Sequence, residues 1–99
     1  MNIEYIDEIE IDKDGKLHLK VRKNHYDMIY REAVGVYYNR KKRTLHSTTP
    51  TNWSYLEWFN HIVKTFNNFD NSKLVLADKV SFVNVPKSIK DSIEQQYQK

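Results

Sequence analysis

The sequence contains no cysteine, and it has only two glycines and two prolines among 99 residues. Without cysteine there is no disulfide, no thiolate nucleophile and no cysteine-based metal site. Small secreted domains commonly depend on disulfides, so this absence favours a cytoplasmic location. Repeats and low-complexity runs are missing as well, and only the polar segment 95–99 has the composition of a flexible tail.

Long apolar runs are also missing. No stretch approaches the roughly 20 apolar residues that cross a bilayer, so we expect no membrane association. The first residues alternate acidic and apolar side chains, which is the opposite of a secretory signal. Ile, Leu, Val and Phe nevertheless supply 26 of the 99 residues, which is enough for one core. We therefore predict one soluble α+β domain over residues 1–99.

The first 22 residues predict a β-hairpin with a defined register. Apolar and charged side chains alternate on both sides of a loop at residues 13–15, where Gly15 supplies the left-handed conformation. Asp12 then pairs with Lys16, and residues 11, 10, 9 and 8 lie opposite 17, 18, 19 and 20. Residues 1–14 hold six acids and residues 16–46 hold nine bases, so the hairpin matches most of these charges. Little basic surface is left for an external partner.

Two more strands are predicted after a loop at residues 24–27. Residues 31–38 are β-branched and aromatic, and residues 43–48 return after a turn at 39–42. A four-residue loop would place Val36 opposite Leu45 and Gly35 opposite His46. The glycine in mid-strand indicates a bulge or a close approach to the backbone.

The second half of the sequence predicts the helices. Ser54-Tyr55-Leu56-Glu57 forms a capping box, and the apolar residues that follow recur with a helical period over about 54–67. Residues 73–77 and 80–83 predict one or two short strands, and a short helix runs from about 86 or 88 to 96. The predicted order is ββββαβ(β)α, an antiparallel sheet of about four to six strands packed against one amphipathic helix.

The four histidines, at positions 18, 25, 46 and 61, lack the spacing of a local metal pair, so neither a metal nor another cofactor is predicted. His18 and His61 are interpreted as solvated surface residues. Ser47 follows His46, but adjacent strand residues point to opposite faces, which excludes a Ser–His dyad. An ordinary strand histidine is the favoured interpretation of His46, and no catalytic residue is assigned.

Three segments carry candidate binding residues. In Tyr30-Arg31-Glu32, Arg31 either clamps a phosphate or carboxylate or pairs with a neighbouring strand. The turn Arg40-Lys41-Lys42-Arg43 is either solvated or contacts nucleic-acid phosphate or an acidic protein surface. Trp53, Tyr55 and Trp58 crowd the first helical turn as core and rim, with Trp58 half exposed and available as an interface anchor.

The run Ile29-Tyr30-Arg31-Glu32-Ala33, then Val34-x-Val36, Leu45-His46-Ser47 and Trp53-Ser54-Tyr55-x-x-Trp58-Phe59-x-x-Ile62 resembles small uncharacterised bacterial proteins carried on integron gene cassettes. The resemblance covers about residues 3–86. It implies a compact α+β fold and association with mobile genetic elements, and it implies no activity.

Three functional hypotheses follow. The first is a non-catalytic protein-binding module of immunity, antitoxin-like or anti-defence type, with a homodimer as a corollary, which uses Tyr30, Arg31, Glu32, His46, Trp53, Tyr55 and Trp58. The alternative is nucleic-acid or nucleotide binding through Arg31 and residues 40–43. The third is a small enzyme that uses His46, with Arg31 stabilising an anion.

Overall fold

The computed structural model describes residues 2–22, 26, 28–32, 35–49 and 52–97. It confirms a mixed α+β fold, with a five-stranded sheet and two helices, the second short and C-terminal. The elements in chain order are β1 (Asn2–Ile11), β2 (Leu17–Val21), a single 3₁₀ turn (Ile29–Arg31), β3 (Tyr37–Asn39), β4 (Thr44–His46), α1 (Tyr55–Asp70), β5 (Ser72–Val83) and α2 (Lys87–Tyr97).

The first hairpin has the predicted register. Ile11 lies opposite Leu17, and the pairs 10–18, 9–19 and 8–20 follow. Asp12 N–H donates to the Lys16 carbonyl at 3.0 Å, and Gly15 adopts φ +81°. The three-residue turn therefore forms as predicted, with glycine at the position that needs the left-handed conformation.

The sheet has the strand order β3-β4-β2-β1-β5 and is mostly antiparallel. Its parallel pair is β1 with β5, because the chain returns along α1 and enters β5 in the direction of β1. The segments predicted at 73–77 and 80–83 form one strand, and the irregularity between them matches a register shift in β1 between Ile6 and Glu8.

The predicted third strand was wrong in extent and register. Arg31 ends the 3₁₀ turn, β3 begins only at Tyr37, and residues 33–34 lie outside the described residues. Tyr38, not Val36, pairs with Leu45. The reason is Asn39, whose Oδ1 accepts from the backbone N–H groups of residues 41 and 42, so the turn occupies residues 40–43. The two-residue shift preserves which face each side chain occupies.

Helix α1 begins with the predicted capping box. Ser54 Oγ accepts from Glu57 N–H, and Glu57 Oε1 accepts from Ser54 N–H. The helix ends later than predicted, at Asp70, with Asn71 in the left-handed conformation. None of the helices formed by the described residues is long and apolar enough to span a membrane.

Both helices cover the same face of the sheet. Phe59, Ile62 and Phe66 of α1 and Ile93 of α2 belong to one buried cluster with Ile9 and other inward residues of the strands. The Phe59 and Tyr97 rings, one from each helix, lie 4.9 Å apart. Because side chains alternate along a strand, the opposite face carries Glu10, His18, His46 and Tyr37 as a cross-strand row. Neither of the two helices formed by the described residues covers this face.

Candidate functional site

His18 is buried on this open face, with 2% of its surface exposed, so its interpretation as a solvated residue was wrong. Its Nε2 lies 2.7 Å from Asp12 Oδ2, and its Nδ1 lies 2.7 Å from Thr44 Oγ1. Since an ionised carboxylate only accepts, Nε2–H donates to Asp12, and in the neutral ring Nδ1 accepts from the Thr44 hydroxyl. His18 thus joins β2, β4 and the β1–β2 turn.

Asp12 is held by three donors. Besides His18, the backbone N–H groups of Asp14 and Lys16 donate to its Oδ1, each at 2.9 Å. Partial burial raises the pKa of Asp12, but the hydrogen bond from His18 and those from the two amides lower it by more, so the net pKa is below the ordinary value. The carboxylate is therefore ionised and engaged in the turn.

His46 lies beside His18, with ring centroids 5.1 Å apart, and beside Tyr37 at 5.7 Å. Its Nδ1–H donates to the Ser47 carbonyl at 2.8 Å, so Nε2 is the unprotonated nitrogen. Burial lowers the pKa of His46, and the positive charge of Lys16 adds to that effect. Nε2 has no hydrogen-bond partner among the residues that the structure describes.

A pocket of about 560 Å³ opens at this place. We name it the open-face pocket. Its lining comes from the first hairpin, the β3–β4 hairpin and the residue after β5: Glu10, Asp12, Lys13, Asp14, Lys16, His18, Asn39, Lys42, His46 and Asn84. Lys42 Nζ reaches from the β3–β4 turn to Glu10 Oε1 at 3.4 Å and passes across β4 and β2. No group of three or more metal-ligating side chains occurs among the described residues.

The β1–β2 turn forms one wall of the open-face pocket, and hydrogen bonds from two residues outside the first hairpin hold this turn in place. The Tyr55 hydroxyl donates to the Gly15 carbonyl at 2.9 Å, and the Thr49 hydroxyl donates to the Asp14 carbonyl at 3.0 Å. Tyr55, a predicted partner residue, is therefore half-buried and engaged in this contact. The Ser47 hydroxyl is fully buried and donates to the Thr48 carbonyl, so it is no nucleophile for His46.

Trp53, Trp58 and His61 form a second feature, which we name the tryptophan cluster. The Trp53 ring lies 4.9 Å from Trp58 and 5.1 Å from His61, and 42% of Trp53 is exposed. The Trp58 ring packs on Gly35, where an added Cβ would lie 2.7 Å from Cη2. The close approach expected at Gly35 is therefore made by Trp58.

The remaining predicted residues are exposed. Tyr30 and Arg31 lie on the 3₁₀ turn and Glu32 follows it, and neither charged side chain has a hydrogen bond or ion pair with a described residue. Arg31 does not line the open-face pocket, so the structure does not place it beside His46. Residues 40–43 form an exposed basic turn, and Lys42 alone among them contributes to the pocket.

Sequence reasoning placed Glu10 opposite His18 but did not find the pocket. The missing step was the pairing of β4 with β2, which sets His46 opposite His18. The spacing between these strands in the sequence contains no signal for that pairing. The polar residues His18 and Thr44, which alternate with apolar neighbours, were the available hint.

The comparisons with known proteins agree on one family. The family described as Integron Cassette Protein Hfx_Cass5 matches residues 4–79. A solved structure of the integron cassette protein Hfx_Cass5, from the mobile metagenome of the North West Arm sewage outfall, is 33% identical to this chain. The match covers 100% of this chain and 99% of that one, with a TM-score of 0.50. No curated protein matches. The chain belongs to the Hfx_Cass5 family of integron cassette proteins.

Proposed function

We propose that this integron cassette protein is a non-catalytic binding protein that docks on another protein, of immunity, antitoxin-like or anti-defence type. The observation that carries the proposal is the tryptophan cluster, with Trp53 42% exposed beside Trp58. Tryptophan is enriched among the residues that dominate interface energies, because a large ring buries much apolar area at little entropic cost.

The cluster is also held in place before any partner arrives. Trp58 is fixed between Gly35 and the two neighbouring rings, and it supports Trp53 from one side. A preorganised anchor loses little conformational freedom on binding, so more of its contact energy appears as affinity. This favours a docking surface over a solvated rim.

The test compares two exposed aromatic residues on different surfaces. Tagged protein captures its partner from the source cells, and the partner is identified, purified and titrated against wild type, Trp53→Ala and Tyr37→Ala. Trp53 and Tyr37 are equally exposed, at 42%. We expect Trp53→Ala to weaken binding by about 30-fold, equivalent to about 2 kcal/mol, and Tyr37→Ala to have little effect.

Light scattering on the same variants tests whether the partner is a second copy of the chain. A dimer that Trp53→Ala dissociates identifies the cluster as a homodimer contact. Binding of the purified partner that Trp53→Ala leaves unchanged contradicts the proposal, and so does a chain that captures nothing.

Nucleic-acid binding is a second candidate, favoured by the basic turn. Residues 40–43 are all exposed, and neither Lys41 nor Arg43 has an ion pair among the described residues. Arg31 is a further exposed cation without an ion pair to any residue that the structure describes. The candidate predicts binding to single- or double-stranded nucleic acid that falls steeply with salt and weakens in Lys41→Ala/Arg43→Ala. Binding independent of salt, or none, excludes it.

A further inference from the structure

Another pocket, of about 570 Å³, opens beside the edge strand β5 and differs in chemistry from the open-face pocket. We name it the edge groove. Six of its nine lining residues are aliphatic or aromatic: Ile3, Tyr5, Val63, Leu74, Val75 and Tyr97. The other three are Asn67, Lys73 and Gln96. Burial of apolar surface is therefore the main interaction that this groove offers to a ligand.

The strand register shows how the edge groove is built. Ile3 pairs with Lys73, and Tyr5 pairs with Val75. Leu74, between the two β5 residues, belongs to the buried cluster on the covered face, so the four paired side chains lie on the open face. The rest of the lining comes from α1 and α2 on the other side of β5. Because 54% of Ile3 is exposed, the groove leaves apolar surface that a ligand can cover.

The backbone of β5 is already engaged at this place. No strand formed by the described residues pairs with the outer side of β5, and the Leu74 N–H donates instead to Asn67 Oδ1 at 2.8 Å. A peptide that binds as an added strand forms main-chain hydrogen bonds with such an edge, so it would have to displace this bond. A small molecule that covers side chains leaves the bond intact. The geometry thus favours a small apolar ligand over an added strand.

Lys73 is the charged residue of the edge groove, and no carboxylate occurs among the described residues that line it. Lys73 is exposed and has no ion pair or hydrogen bond with any described residue. Arg22 lies over the Tyr5 ring at 4.9 Å, but it is paired with Asp7 and does not line the groove. An unpaired ammonium group beside an apolar surface attracts one anionic head group, and an apolar environment strengthens that attraction.

We propose that the edge groove binds a medium-chain fatty acid, with the alkyl chain against Ile3, Tyr5 and Val75 and the carboxylate on the Lys73 ammonium group. A ligand with one apolar chain and one negative charge matches a lining with six apolar residues and one cation. This site is independent of docking through the tryptophan cluster, because the two surfaces share no residue.

Calorimetric titration with hexanoate, octanoate and decanoate, each below its critical micelle concentration, tests the proposal. We expect the affinity to rise by about two- to fourfold for each added CH₂ group, because the chain is buried against the groove. Decylamine carries a chain of the same length on a positive head group. We expect it to bind about tenfold more weakly than decanoate, because its charge repels Lys73.

Three variants separate the head group from the chain. Lys73→Gln should weaken decanoate binding about fivefold and leave the gain per CH₂ group unchanged. Lys79→Gln is the matched control, since Lys79 is an exposed lysine of the same strand that does not line the groove. Ile3→Ser removes an exposed apolar side chain that lies outside the buried cluster, and it should reduce the gain per CH₂ group.

Amide chemical shifts of the wild-type protein give a readout that needs no variant. Decanoate should shift the signals of residues 3, 5, 73–75 and 97 and leave those of residues 13–16 and 46 in place. The proposal is overturned by any of four results: no binding at millimolar concentration, an affinity independent of chain length, decylamine bound as tightly as decanoate, or equal losses in Lys73→Gln and Lys79→Gln. A dimer that Ile3→Ser dissociates and that does not bind decanoate also overturns it, and identifies the groove as a contact between copies.

Discussion

Gly35 and Gly15 both adopt the left-handed backbone conformation, at φ +86° and +81°, but for different reasons. Gly15 closes a tight turn, and an added Cβ would meet the Tyr55 hydroxyl at an ordinary 3.4 Å. Gly35 lies under the Trp58 ring, where a Cβ would be only 2.7 Å from the nearest carbon. One glycine is required by its backbone alone, and the other by its backbone and by packing.

The pair of alanine variants separates these two effects. Gly15→Ala should lower the free energy of unfolding by about 1–2 kcal/mol, the cost of a left-handed non-glycine residue. Gly35→Ala carries the same cost and must also displace Trp58, which adds about 1–3 kcal/mol. Urea unfolding measures both, and the tryptophan fluorescence, which comes from Trp53 and Trp58 together, should change only in Gly35→Ala. Equal losses in the two variants would show that Trp58 moves freely.

At the scale of the elements, the sequence predicts correctly those features that depend on residues close together in the chain. The register of the first hairpin follows from Gly15 and from the alternation on either side of it, and the start of α1 follows from Ser54 and Glu57. The predicted register of the third strand was wrong because Asn39 was assigned to the turn. Asn39 is instead the last residue of β3, and its side chain accepts hydrogen bonds from the turn that follows. One residue therefore decided the register of a whole strand.

Long-range pairing had no comparable signal. The parallel pairing of β1 with β5 and the position of β4 beside β2 join segments that are distant in the sequence. The open-face pocket depends on the second of these pairings, since His46 reaches His18 only through it. The sequence shows each polar residue of the pocket, but it does not predict that the fold brings these residues together.

The capping box of α1 gives a prediction for this element. In Ser54→Ala the Glu57 N–H loses its side-chain acceptor, and we expect the free energy of unfolding to fall by about 1 kcal/mol. Ser92→Ala is the matched control, because Ser92 Oγ donates to the Ser88 carbonyl inside α2 and alanine is the better helix former there. Chemical denaturation measures both. A loss in Ser92→Ala as large as in Ser54→Ala would contradict the capping role.

At the scale of the whole molecule, the two faces of the sheet differ in the interactions that stabilise them. The covered face holds the apolar cluster that keeps β1, β2, β4 and β5 against α1 and α2. The open face holds buried polar groups that are satisfied by one another, with no buried side-chain nitrogen or oxygen lacking a partner in the described part of the chain. The free energy of unfolding therefore depends on apolar packing on the covered face. On the open face it depends on the protonation states of groups such as Asp12 and His46.

The dependence of stability on pH tests that division. The pKa of His46 is lowered from the ordinary 6.5, chiefly by burial, so below about pH 6.5 the unfolded chain binds a proton that the folded chain resists. The free energy of unfolding therefore falls as the pH drops from 6.5 through the folded pKa, and His46 adds no slope above that window. In the folded state His18 and the charge of Lys16 also oppose the proton, and the hydrogen bond to the Ser47 carbonyl and the charge of Asp12 offset only part of these effects and of burial.

Asp12 also makes the free energy of unfolding fall as the pH drops, but over a more acidic pH range than His46. Its folded pKa is below the ordinary 3.8, because hydrogen bonds from His18 and two amides outweigh its partial burial, so its contribution is present above that value and is lost as the pH falls through the folded pKa. Urea unfolding of wild type and His46→Gln at closely spaced pH values measures both windows. We expect His46→Gln to remove part of the decline below pH 6.5 and to leave the acidic loss below 3.8 in place. If wild type and His46→Gln decline in parallel through the upper window, the neutral imidazole of His46 is not part of what stabilises the open face.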